Sequence, residues 1–185
     1  EMQIELIELH RSLNLTTIFV THDQEEALSL SDRIVLLHNG RIEQEGSPDA
    51  VYFDPETAFV SRFMGSANIV SAIVTTEGEG VIGRFADGQA LALHQTVTLR
   101  GEATLCLRQE DLAMHPVDDV PVSGMIIGRV QTRVFLGARS RYLVKIGGAV
   151  WSVLTPATLQ FERGQRVGLS VDPRAIRVLP VSTNT

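Results

Sequence analysis

The 185 residues are 44% hydrophobic and 21% charged, the balance of an ordinary globular chain with room for one domain or two small ones. No apolar run approaches the about 20 residues of a membrane-crossing helix, so contact with a bilayer is expected only through a partner. The net charge of −6 is unevenly spread, −8 in residues 1–66 and +2 in residues 67–185, which argues against nucleic acid as a partner of the first part and marks a change of composition.

Cys106 is the only cysteine, which excludes an internal disulfide. His10, His22, His38, His94 and His115 lack metal-ligand spacing, so no metal site is expected. Met2, Leu6, Leu9 and Leu13 recur at helical spacing, with Glu1, Glu5 and Glu8 on the wet side and Asn14 as a left-handed cap. This pattern is already running at Glu1 with no cap before it, and the chain is expected to be cut from a longer parent.

Thr16–Val20 is β-branched and aromatic, and predicts a buried strand. A helix follows from about Asp23 to Leu30. Thr21 with Gln24 has the spacing of a capping box, and Asp23 with Glu26 offers a shifted one. His22 thus stands where a strand ends and a helix begins, an edge where open α/β sheets bind ligands and helix N-termini favour phosphate. By position alone it is a surface histidine beside a cap.

Arg33–His38 and Arg41–Gln44 read as strands joined by Asn39-Gly40, a strong hairpin signal. Ser47-Pro48-Asp49 is an N-cap, an N1 proline and a first-turn acid, predicting a helix over Asp49 to Tyr52. Asp54-Pro55-Glu56 repeats the device, and a second helix with Phe59, Val60 and Phe63 on its apolar face is expected to run to Gly65.

Val20-Thr21-His22-Asp23-Gln24-Glu25-Glu26-Ala27, continuing through Asp32-Arg33-Ile34-Val35-Leu36, Asn39-Gly40 and Gly46-Ser47-Pro48, closely resembles the end of the nucleotide-binding domain of ABC transporters. The wording is similar to the importer subfamily that serves maltose, polyamines, ferric iron, sulfate and related solutes. The resemblance implies that His22 is the switch histidine that contacts the γ-phosphate of ATP. It further implies an incomplete α/β remnant of the ATPase domain over residues 1–64. The intact subunit would use ATP and Mg2+, pair as a homodimer, and drive membrane permease subunits fed by a solute-binding protein. It would lie in the cytoplasm, peripheral on the inner face of the membrane. A phosphate-cradling loop needs a lysine, and Lys145, the only one, follows no such glycine loop. This chain alone is therefore expected to hold no cofactor and to hydrolyse nothing.

Residues 65–68 read as a linker, and 69–185 change texture to short β runs. These are Ile69–Thr76, Val81–Phe85, Ala90–Leu93, Ala103–Leu107, Gly124–Phe135, Arg141–Ile146, Ala149–Leu154, Arg166–Ser170 and Ile176–Leu179, with glycine turns between them. Many short strands without long helices imply a small β-barrel or sandwich. Val134-Phe135-Leu136-Gly137-Ala138, Tyr142 to Gly148 and Gly168 to Pro173 resemble the TOBE module, an OB-like β-barrel appended to these ATPases. Arg108-Gln109-Glu110 is similar to that module's Arg-Pro-Glu segment, with Gln109 where proline is usual.

Three readings follow. The first is the C-terminal part of an importer ATPase. The second is a regulatory module that binds an oxyanion or other small ligand and dimerises; Arg129, Arg133, Arg139 and Arg141 lie close in sequence and are the candidate anion contacts, or else a solvated strand face. The third, nucleic-acid binding, lacks a basic groove with stacking aromatics, since Phe85, Phe135, Tyr142, Trp151 and Phe161 are spaced as core residues.

Overall fold

Asn39 and Gly40 turn the chain at φ 50° and 75°, the left-handed values that a two-residue hairpin requires. They join β1 (Ile34–His38) to β2 (Arg41–Gly46), an antiparallel pair with a bulge between Leu36 and Leu37. In this computed structural model residues 2–13, 15–117 and 124–181 are described; the expected Asn14 cap lies outside them. The chain divides into two units, Glu1–Gly65 and Ser66–Thr185.

The first unit holds α1 (Met2–Leu13), α2 (Gln24–Leu30), the hairpin, α3 (Pro48–Phe53) and α4 (Ala58–Phe63). Ser47 caps α3 through the Ala50 N–H, with Pro48 in the first turn, as the residue order predicts. Ile34 and Leu36 on one hairpin face pack with Val51, Val60 and Met64 into a small core, flanked by Ala27, Leu28 and Phe59. On the other face Val35, Leu37 and Ile42 are exposed.

Two expectations need correcting here. Thr16–Val20 forms no strand: the only sheet of this unit among the described residues is the β1–β2 pair, and Ile18 and Val20 are 93% and 92% exposed. A strand needs a ladder neighbour for its backbone donors and acceptors, and no described strand pairs with this segment. The second helix starts at Ala58 with Thr57 as its cap, not at Asp54. The buried Gln44 amide donates to the Asp54 carbonyl at 3.1 Å and accepts the Glu56 N–H at 2.9 Å, which holds residues 54–56 against β2 and defers the helix.

Among the described residues the second unit is two five-stranded antiparallel sheets. One has the order β10-β9-β8-β11-β7, from Ala149–Pro156, Arg139–Ile146, Ile126–Phe135, Arg166–Ser170 and Ala113–Pro116. The other has the order β12-β6-β3-β4-β5, from Arg177–Pro180, Gly101–Leu107, Asn68–Glu77, Gly80–Arg84 and Ala90–Leu93. Ala72, Val74 and Leu105 of one sheet share a core with Ile126, Tyr142, Val144 and Trp151 of the other. This is the β-rich, OB-like architecture expected. The short strand β7 is absent from the sequence reading, because Ala-Met-His-Pro carries few β-forming side chains.

Side-chain amides fasten the two sheets together. Asn68 accepts the Ser152 N–H at 2.7 Å and donates to the Ser152 and Leu107 carbonyls at 2.9 and 3.2 Å. Gln89 does the same to Ile127, accepting its N–H at 2.6 Å and donating to its carbonyl at 3.0 Å. Each amide stands in for a missing strand neighbour. Among the expected core aromatics Phe85, Tyr142, Trp151 and Phe161 are buried, but Phe135 is 66% exposed. It sits at the end of β8 opposite Ser140.

Candidate functional site

Asp23 caps α2: its carboxylate accepts the Glu25 and Glu26 N–H groups at 2.8 and 3.3 Å. Of the two capping arrangements the sequence offers, this is the one centred on Asp23. Glu26 does not reach back to the Asp23 N–H as a plain capping box would. The Asp23 N–H goes instead to Thr21 Oγ1 at 3.0 Å, and the Thr21 hydroxyl donates to Glu26 Oε2 at 2.6 Å. His22 is thus flanked by two residues bonded into the first turn, with its own side chain exposed. An imidazole so placed is free to donate to an anion arriving from solvent.

The four arginines are not gathered. Arg133 lies opposite Tyr142 on the core side of the β8–β9 pair; its guanidinium donates to Ser140 Oγ at 3.1 and 3.2 Å and lies 5.9 Å from the Tyr142 ring centroid. Arg139 and Arg141 alternate with buried Ser140 and Tyr142, so they belong to the opposite face. Arg129 shares that outer face through its partner Lys145, four residues along β9 from Arg141, and donates to the Gly164 carbonyl at 2.8 Å.

Strand register adds residues that linear spacing hides. Arg166 pairs with Arg129, and Arg129 with Lys145, so three cations stand abreast on β11, β8 and β9. A cavity of about 410 Å³ also opens beside β7, lined by Asp111, Met114, His115, Leu154 and Phe161 among others. Asp111 is exposed over much of its surface, yet partial burial holds its carboxyl above the usual carboxylate range; Glu110 adds to this and Arg108 opposes it. His115 Nε2 is 2.9 Å from Ser170 Oγ. Gln109, where proline was the expected residue, is buried and uses its amide oxygen to accept the Ser152 hydroxyl at 3.1 Å. Among the described residues no group of three or more His, Cys, Asp or Glu is placed to hold a metal ion, and no helix is long and apolar enough to cross a membrane.

Residues 105–179 match the family model described as the TOBE domain. The spermidine/putrescine import ATP-binding protein PotA of Clostridium novyi (strain NT) is 35% identical over 179 residues, covering 97% of this chain and 49% of that protein. Its namesake from Haemophilus influenzae is 36% identical over 180 residues, covering 92% of this chain and 48% of that protein. The chain therefore spans about half the length of the curated relatives it matches. Among solved structures, the cytoplasmic molybdate-binding protein ModG aligns with 61% of this chain and 95% of its own, at a TM-score of 0.50 and 14% identity. That is a likeness of fold.

Proposed function

We propose, from the match of residues 105–179 to the TOBE domain model and the similarity of nearly the whole chain to ATP-binding subunits of ABC importers, that the chain is the C-terminal part of such a subunit, serving ATP-driven uptake of a solute. Residues 1–64 are the end of the nucleotide-binding domain, 65–68 the linker, and 69–185 the regulatory TOBE domain. The observation that carries this reading is homology at 35% identity that runs through both units of one chain. The exposed His22 at the start of a capped helix supports it from the side of chemistry. The names of the relatives make a polyamine such as spermidine or putrescine the first solute to test.

In the intact subunit His22 contacts the γ-phosphate, where a positioned donor stabilises charge as the phosphoryl group departs. ATP and Mg2+ are held by the remaining machinery, and His22 is this chain's contribution to it. Two copies pair, dock on membrane permease subunits at the cytoplasmic face, and respond to the solute-binding protein through them. The ligand-module alternative has less behind it. Arg133 stands on the face away from Arg129, Arg139 and Arg141, so the four do not meet one ligand, and the cavity beside β7 presents carboxylates, which repel an oxyanion.

The test is ATP hydrolysis by the complete subunit assembled with its permease. His22→Ala is expected to lower kcat by about a hundredfold, the scale of losing one positioned donor. The 185-residue chain alone is expected to show no ATP turnover. Turnover by the isolated chain that His22→Ala abolishes would falsify this division of labour.

A further inference from the structure

Thr21 and Glu26 are joined by a bond that α2 does not need for its own capping. Asp23 already accepts from the Glu25 and Glu26 N–H groups, and its carbonyl takes the Ala27 N–H at 3.1 Å. The Thr21 hydroxyl nevertheless donates to Glu26 Oε2 at 2.6 Å while its oxygen receives the Asp23 N–H at 3.0 Å. The carboxylate therefore reaches back five residues, past His22, and ties Thr21 to the first turn of α2. Bonds to an ionised acceptor are short and directional. On a half-exposed surface such a bond adds little to stability, because both groups are well solvated without it. Its effect here is geometric.

With the residue before His22 and the residue after it both tied to the first turn, the direction of the His22 Cα–Cβ bond is set by α2. We propose that Glu26, acting through Thr21, is a positioning residue that fixes how His22 is presented to the nucleotide; this rests on the reading of His22 as the γ-phosphate contact. Glu26 touches neither nucleotide nor reacting atoms. It removes the backbone freedom that would let the imidazole swing away, and misplacement by about 1 Å costs up to about a hundredfold in rate.

The variants separate geometry from charge. Thr21→Val loses both bonds and Thr21→Ser keeps them; Glu26→Ala loses the acceptor and Glu26→Gln keeps an uncharged one. In the complete subunit with its permease, Glu26→Ala and Thr21→Val are expected to lower kcat about tenfold with the KM for ATP changed less than about twofold. Thr21→Ser is expected to recover most of the rate and Glu26→Gln part of it. The double variant His22→Ala/Glu26→Ala is expected to be no slower than His22→Ala alone, because the carboxylate acts only through the imidazole. In the 185-residue chain, NMR backbone couplings at His22 and Asp23 are expected to average in Glu26→Ala and Thr21→Val but not in Thr21→Ser, with the amide spectrum of β1, β2, α3 and α4, in the same unit, unchanged as the folding control. If His22→Ala leaves kcat intact, the phosphate-contact reading fails and this proposal goes with it. If His22→Ala is slow while Glu26→Ala and Thr21→Val keep their rate, or if the double variant is slower again, positioning alone is overturned and the contact reading stands.

Discussion

Asp111 carries a carboxyl that the fold holds above its ordinary pKa of 3.8, first by partial burial and then through Glu110, against the pull of Arg108. A folded-state pKa above the unfolded one means that the native state prefers the proton. The contribution of Asp111 to stability is then fully present below pH 3.8 and lost as the pH rises through the folded value. Asp111→Asn is accordingly expected to raise the melting temperature at neutral pH and to give no gain at about pH 3, read from thermal melts across that range. A gain of equal size at both ends would assign the effect to packing instead. His22 shows the other side of residue-scale reading. Its place before a helix was legible because the capping residues around it are local in sequence. The Thr21–Glu26 bond was not, because a spacing of five belongs to no capping pattern and only the built backbone brings those groups within 2.6 Å.

Elements add a constraint that no single residue carries, the identity of the neighbour. Thr16–Val20 has the composition of a strand and remains without one, since propensity supplies no partner. Gln44 delays α4 to Ala58 because its amide claims residues 54 and 56 from a strand away. Gly128 on β8 is a third case. A Cβ there would lie 2.5 Å from Val144 Cγ1 and 2.9 Å from the Lys145 carbonyl oxygen on the paired strand. Gly128→Ala is therefore expected to cost about 1–3 kcal/mol, seen as a lower denaturant midpoint with an unchanged slope. An unchanged midpoint would mean that β8 and β9 can part at no cost.

The whole molecule pairs two units of unequal strength. Among the described residues, the first has a core of five buried side chains, Ile34, Leu36, Val51, Val60 and Met64, and leaves Val35, Leu37 and Ile42 exposed. The second buries 22 in one cluster shared by both sheets, fastened by Asn68 and Gln89. Stability follows apolar area removed from water, so the units should not open together. Hydrogen exchange is expected to find the amides of β1, β2, α3 and α4 opening well before those of β3, β6, β8 and β9. Calorimetry should resolve two transitions, the smaller one first; a single transition with uniform protection would show that the units are coupled.

What the sequence determined by itself is whatever is written in neighbouring residues: the Asn39-Gly40 hairpin, the Ser47-Pro48 helix start, most of the strands after residue 68, and the motif around His22 that points to a transporter ATPase. The tertiary structure alone decided which groups meet across strands and loops. It set Arg166, Arg129 and Lys145 abreast, put Arg133 on the face away from Arg139 and Arg141, and left Thr16–Val20 without a partner. The physical reason is that turns and caps are satisfied by hydrogen bonds a few residues long, whereas register and burial depend on contacts between segments far apart in the chain.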